Sequence, residues 1–367
     1  MKSFIANIIC CSLLLMVAQA QYPISGKVLN DENDSPIAGA SVYFNNTSIG
    51  TITSSNGSFF LPDAVNGELI VSSVGFERLI YTFNLAQLKG KSFTFKLSPK
   101  QDLLQDVLIL PDATRRKYLQ LFQENFLGVT EEAASSKINN ISSVYFVAAG
   151  TEKNSFKAMA DTPLTIINNK LGYRIRFELV SFYLNQTTGQ TAFYGYTRYE
   201  ALGNKKRWVK NREDAYYGST LHFFRSFIGD SLEAEKYALY IVRTDTIPPG
   251  PNETNRLPKK MDVAWGVKAS DLVKKDSTSE SYKVIWKHKL MVQYLKNPSG
   301  KAYLRSSRFL AEGAQIGFRS YLQLLADSIQ VDKYGIVIDP TVLYFSGYWV
   351  YEKAANLLPF NYYPEKK

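Results

Sequence analysis

The feature that most restricts the fold is the punctuation of residues 22–98. Short apolar and β-branched runs are cut every few positions by Gly, Asn, Asp or Pro, and no window holds the 3.6-residue spacing that a helix needs. The runs are Ile24-Ser25-Gly26-Lys27-Val28, Ala40-Ser41-Val42-Tyr43-Phe44, Ser58-Phe59-Phe60-Leu61, Leu69-Ile70-Val71-Ser72-Ser73-Val74 and Ser92-Phe93-Thr94-Phe95-Lys96-Leu97. Asn56-Gly57 and Asn66-Gly67 supply the positive-φ positions that tight hairpin turns require. Short strands at this spacing predict a β-sandwich.

Upstream, Lys2, an apolar run over residues 4–17 and the small-residue triplet Ala18-Gln19-Ala20 have the layout of a secretory signal, so residues 1–20 are expected to be removed and Gln21 to begin the mature chain. The run is shorter than the roughly 20 residues that span a bilayer, and no later run is long and apolar enough for a membrane helix. Cys10 and Cys11 both lie inside it. Neither is preceded by the small residue of a lipid-attachment site, so no lipidation is expected. The mature chain then has no cysteine, which excludes disulfides, thiolate catalysis and cysteine metal sites. An exported chain of 367 residues built without disulfides points to a bacterial periplasm or the outer-membrane face. Export also redirects the reading of the +10 net charge: anionic lipid headgroups, acidic glycans or an acidic envelope protein become the expected partners, and nucleic acid does not.

Several of these segments carry a resemblance. Gly26-Lys27-Val28, Pro36-Ile37-Ala38-Gly39-Ala40-Ser41-Val42, Gly50-Thr51-Ile52-Thr53, Asn56-Gly57-Ser58-Phe59 and Val74-Gly75-Phe76 resemble the carboxypeptidase-regulatory-like domain, which implies a seven-stranded transthyretin-like sandwich over residues 21–98. The domain accompanies zinc carboxypeptidases but carries neither their zinc nor their catalytic residues. It is common in Bacteroidota envelope proteins, including as an extension of TonB-dependent transporters. Residues 99–111 read as a linker, in which Leu103-Leu104-Gln105-Asp106-Val107-Leu108-Ile109 is similar to the segment joining such extensions to a transporter plug. A plug with a large outer-membrane barrel would need many alternating strands and far more chain than remains, so the segment is expected to be a connecting strand.

Residues 112–367 change character and are expected to form an antiparallel α+β domain, making the whole chain mainly β with an α+β part. Asp112 is placed to cap a helix running to Leu127, with Tyr118, Leu119, Phe122 and Phe126 on one face and Gly128 after its end. Tyr173-Arg174-Ile175-Arg176-Phe177-Glu178-Leu179 alternates as a half-buried strand does. Pro248-Pro249-Gly250-Pro251-Asn252 marks a loop, strands resume at Val284, and a short helix is expected near residues 352–358. Leu171-Gly172-Tyr173-Arg174-Ile175, Arg207-Trp208, Asn211-Arg212, Gly218-Ser219, His222-Phe223, Lys333-Tyr334-Gly335 and Gly347-Tyr348-Trp349 resemble the long Bacteroidota proteins described only as carboxypeptidase-like regulatory domain-containing. That resemblance brings no activity with it.

The inventory of chemical groups argues against catalysis. The two histidines, His222 and His288, lie far apart, and a zinc site needs two or three such ligands with Cys or carboxylate completing the shell, so neither metal nor other cofactor is expected. His288 alternates in one row with Val284, Trp286, Leu290 and Val292, where it reads as a packed residue. No Gly-x-Ser-x-Gly elbow or Gly-rich phosphate loop occurs, and the carboxylate pairs Glu131 with Glu132 and Glu233 with Glu235 read as solvated.

The segment richest in content is 207–228. From Asn211, a good cap, it reads as one helix with Tyr217, Leu221, Phe224 and Ile228 facing the core and with Gly218 in its middle. Before it, Lys205, Lys206, Arg207, Lys210 and Arg212 concentrate charge around Trp208, and His222 and Arg225 occupy a neighbouring stripe. These eight residues form the candidate surface for an anionic partner, since interleaved aromatic and cationic groups hold anionic polymers by stacking and charge. The expected function is a non-catalytic binding or structural module of the cell envelope. The alternatives are an accessory subunit of a TonB-dependent transport or secretion system, or an unrecognised peptidase or glycan hydrolase.

Overall fold

A computed structural model describes residues 22–85, 92–100, 108, 110–149, 154–247, 259–277, 281–296 and 318–365. The signal segment with both cysteines, all of the plug-like motif except Leu108, and the loop at 248–252 lie outside the described residues. The chain divides into two compact units, one holding residues 1–45 and 49–102, the other residues 46–48 and 103–367.

The first unit is a sandwich of seven strands: β1 (Ile24–Asn30), β2 (Ser41–Phe44), β3 (Gly50–Ile52), β4 (Ser58–Leu61), β5 (Gly67–Ser72), β6 (Leu79–Phe83) and β7 (Ser92–Leu97). One sheet has the order β4-β1-β7 and the other β3-β2-β5-β6. β1 runs antiparallel to β4 but parallel to β7, and its burial alternates, so Ile24 and Val28 enter the core while Ser25 and Lys27 face water. Asn56-Gly57 and Asn66-Gly67 were expected to close hairpins. Each instead lies on a crossing between sheets, because β3 and β5 pair with β2 while β4 pairs with β1. The core is aliphatic and aromatic, with Phe44 set edge-on to Phe83 at 5.2 Å and Phe59 stacked on Phe95 at 5.9 Å.

The second unit opens with α1 (Asp112–Phe126) and α2 (Glu131–Ala134). Asp112 does not cap α1: Pro111 holds that position, and Asp112 sits in the first turn, where a carboxylate meets the positive end of the helix. Next comes a six-stranded sheet, built from β8 (Ser136–Ile138), β9 (Val144–Ala148), β10 (Ser155–Ala160), β11 (Leu164–Asn168), β12 (Tyr173–Asn185) and β13 (Thr191–Ala201). β12 is its spine: the first half pairs with β11, the second with β10, and β13 pairs along both with a shift in register between Leu179 and Ser181. α1 lays Phe122 against Phe182 and Phe126 against Phe177, each at 4.9 Å.

Two helices then lead to a second group of strands. α3 (Lys206–Tyr216) and α4 (Thr220–Ile228) precede β14 (Tyr237–Ile247), β15 (Lys259–Gly266), α5 (Ala269–Leu272), β16 (Val273–Lys275), β17 (Ser281–Val284), β18 (Lys289–Tyr294), β19 (Phe318–Leu324), β20 (Ile329–Asp332) and β21 (Leu343–Gly347). They make a five-stranded sheet in the order β15-β14-β18-β19-β21 and a three-stranded one in the order β16-β17-β20. Phe223 and Phe227 of α4 share their core with Tyr237, Leu290, Leu322 and Trp349. His288 is not packed in a strand row: strand pairing stops at Val284 and resumes at Lys289, and His288 stands exposed with φ of 65° in the turn between. The closing helix expected near 352–358 is instead a single 3-10 turn at Tyr348–Tyr351, ended by the extended backbone of Glu352.

Candidate functional site

The stretch from Asn211 to Ile228 is not one helix. α3 ends at Tyr216, and Gly218 takes φ of +87° in the break, where a side chain would strain the backbone and meet the Tyr294 ring at 3.0 Å. Gly218 is therefore a turn residue, not a mid-helix gap, and Asn211, expected as a cap, is inside α3. Ser219 restarts the chain as the true cap of α4: its Oγ accepts the His222 N–H at 3.2 Å and donates to the Tyr216 carbonyl at 2.6 Å. The buried face of α4 is Phe223, Phe224 and Phe227 with His222 and Ser226, while Leu221 and Ile228 are half-buried.

α3 is clamped to the turn between β11 and β12. Its side chains at i, i+3 and i+4 take four successive carbonyls: Trp208 Nε1 donates to Asn169 at 2.9 Å, Asn211 Nδ2 to Lys170 at 2.7 Å, and Arg212 to Leu171 and Gly172 at 2.7 and 2.8 Å. The Arg212 guanidinium also lies 4.0 Å from the centre of the Tyr173 ring. Gly172, with φ of +69°, lets the indole come so close that a Cβ would lie 2.2 Å from it. Trp208 and Arg212 are consequently buried, and both leave the partner surface that the sequence assigned them to: their polar groups already hold the fold.

His222 and Arg225 are corrected for the same reason. His222 is 2% exposed, and its Nδ1 faces the Gly218 N–H at 3.1 Å and the Tyr237 hydroxyl at 2.9 Å. With Nδ1 accepting, the ring proton sits on Nε2 and is donated to Glu235 at 3.1 Å. Burial holds the imidazole below its ordinary pKa, against the opposing pull of Glu235. Glu235 is thus anchored through one oxygen, while its side chain stays open to solvent as the sequence suggested. Arg225 donates to the carbonyls of Tyr334, Phe360 and Tyr362 at 2.9, 2.6 and 2.7 Å and lies 3.9 Å from the centre of the Tyr363 ring, stapling the last described segment to α4. At the N-terminal end of α4, Glu352 accepts the Thr220 N–H at 3.2 Å and its hydroxyl at 2.9 Å. Burial raises this carboxyl to about 7, although both bonds oppose the rise. The sequence offered Glu235 only as one of a carboxylate pair and gave no sign of Tyr237 or Glu352 as partners, since these contacts span 13 to 132 positions.

Four of the eight candidates remain on the surface. Lys205, Lys206, Arg207 and Lys210 are all exposed around the first turns of α3, with Lys205 and Arg207 covering the rim of the buried indole at 4.7 and 5.7 Å from its centre. The first turn of α3 contains no acidic residue, and Lys205 makes no side-chain cap.

Next to α4 opens a cleft of about 630 Å³, lined among others by Tyr217, Tyr282, Tyr363, Glu235, Lys296 and Lys333. Among the described residues no group of three or more His, Cys, Asp or Glu is arranged to hold a metal ion, and no helix is long and apolar enough to cross a membrane.

Residues 24–109 match the family model described as the CarboxypepD_reg-like domain. No curated protein matches the chain.

Proposed function

We propose that this chain, whose N-terminal sandwich belongs to the CarboxypepD_reg-like domain family, is a non-catalytic binding module of the bacterial cell envelope that meets an anionic partner through Lys205, Lys206, Arg207 and Lys210. One observation carries the reading. Lys205, Lys206 and Arg207 stand at the positive end of the α3 dipole, where each like charge costs roughly 0.3–1 kcal/mol and where an acidic residue is the ordinary choice, and Lys210 follows in the next turn. A local rule broken at several neighbouring positions on a rigid, clamped helix marks a site kept for something other than stability. An anion arriving there meets the side-chain charges and the positive end of the helix together.

The partner is an acidic envelope protein, an anionic lipid headgroup or an acidic glycan, with the protein located in the periplasm or at the outer membrane. The test is a pull-down from solubilised envelope, with the chain lacking residues 1–20 as bait, repeated with Lys205, Lys206, Arg207 and Lys210 all changed to Glu. Retention should fall at least tenfold in that variant and should weaken in the native chain as salt rises from 0.05 to 0.5 M, because screening shortens the reach of exposed charge to about 10 Å at 0.1 M. Equal retention by the two folded proteins would remove the reading.

A further inference from the structure

We propose that the cleft beside α4 binds a neutral oligosaccharide, at a site separate from the α3 cations. Its lining balances three cations, Arg225, Lys296 and Lys333, against three carboxylates, Glu213, Glu235 and Glu365. A lining with no net charge gives no long-range preference for an ionic ligand, whereas the exposed α3 cluster is cationic throughout. What it offers instead is short-range hydroxyl chemistry: ammonium groups only donate, carboxylates only accept, and a sugar hydroxyl does both.

Tyr217, Tyr282 and Tyr363 add ring surface to the same cleft, with a polar tip on each ring, which suits a ligand whose faces are C–H and whose edges are hydroxyl. One of these rings is held in place. Tyr363 lies with its face against the Arg225 guanidinium, and that guanidinium is itself held by three backbone carbonyls. Glu235 is likewise fixed in advance. Its Oε2 is tied to the His222 Nε2–H, and His222 is pinned in that tautomer by the Gly218 N–H and the Tyr237 hydroxyl, while the carboxylate side chain stays 40% exposed. A pre-oriented acceptor saves the ordering cost that a loose surface carboxylate incurs on binding. The volume, about 630 Å³, is within the range of small-ligand sites and leaves room for a short oligosaccharide.

The experiment is saturation-transfer NMR on the full chain without residues 1–20, with maltotetraose, cellotetraose and N-acetylchitotetraose as neutral probes and tetragalacturonate and tetra-alanine as charged and peptide controls. At least one neutral tetrasaccharide should receive transfer, and its affinity should fall at least tenfold in Tyr282→Ala and in the nearly isosteric Glu235→Gln. Lys206→Glu should leave it unchanged. Transfer to none of the three neutral probes, transfer to the controls alone, or an affinity unaltered in both folded cleft variants would overturn the proposal, and each of these results is independent of how the α3 cations behave in the pull-down.

Discussion

The two units bury different things. Among the described residues the sandwich buries one polar side chain, Thr53, which accepts the Ala40 N–H and donates to the Ile37 carbonyl; the rest of its core is apolar. The second unit buries Thr47, Thr130, Asn168, Glu178, Thr197, Arg212, His222, Ser226, Ser281 and Ser320. Polar groups in a low-dielectric interior are costly unless fully bonded, so a chain keeps them where they position something. Three of them, Arg212, His222 and Ser226, belong to α3 and α4: Arg212, together with Trp208, holds the helix that displays the cations, and His222 orients the carboxylate in the cleft. The sandwich, with no comparable network, is assigned no chemistry.

The largest effects should come from removing core anchors on the two sides. Trp208→Ala empties an indole site and frees the Asn169 carbonyl, and should cost about 3–5 kcal/mol in urea unfolding. Leu69→Ala, at a fully buried sandwich position, should cost about 2–5 kcal/mol. Only the first should reduce retention of the envelope partner under conditions where both variants remain folded. Loss of retention in Leu69→Ala would break the division of labour between the units.

Next in size is Gly218→Leu. A side chain at φ of +87° against the Tyr294 ring should cost about 2–3 kcal/mol, read as a lower urea midpoint at unchanged slope. A neutral result would mean that the break between α3 and α4 is not fixed by its glycine.

Glu352 gives a smaller effect that depends on pH. Its folded pKa, raised to about 7 from 4.5, means that the folded state holds more protons than the unfolded one between those values. Its contribution is therefore complete below about pH 4.5 and disappears as pH rises through 7. His222 opposes it: a lowered folded pKa gives stability that is lost as pH falls below 6.5. The difference between the native chain and Glu352→Gln isolates the first term, and the advantage of the native chain should shrink by about 2 kcal/mol, as this shift allows, from pH 5 to pH 8. A difference that does not vary with pH would show that the carboxyl titrates normally.

Legibility in the sequence divides along the same line. The sandwich was readable because its turns and alternation are local. Even so, Leu79–Phe83 does not stand out as a run, and the sheet to which each turn leads was invisible, since that depends on pairings such as Ser25 with Ser92. In the second unit, the α1 core face and the β12 alternation were legible. The helix break at Gly218 was not, because Tyr217, Leu221, Phe224 and Ile228 keep a helical spacing straight through it. Trp208 and Arg212 were misplaced on the surface for a related reason: their partners are carbonyls 39 to 41 positions away, and a carbonyl leaves no mark in the sequence.

The smallest predicted effect is the most direct test of the claim that the α3 cations are kept for binding and not for folding. Lys206 occupies the first turn of α3. In urea unfolding at low salt, Lys206→Glu should leave the chain about 0.3–1 kcal/mol more stable, because the new carboxylate faces the positive end of the helix dipole. A fall in stability of similar size would contradict the account and make the cation part of the scaffold.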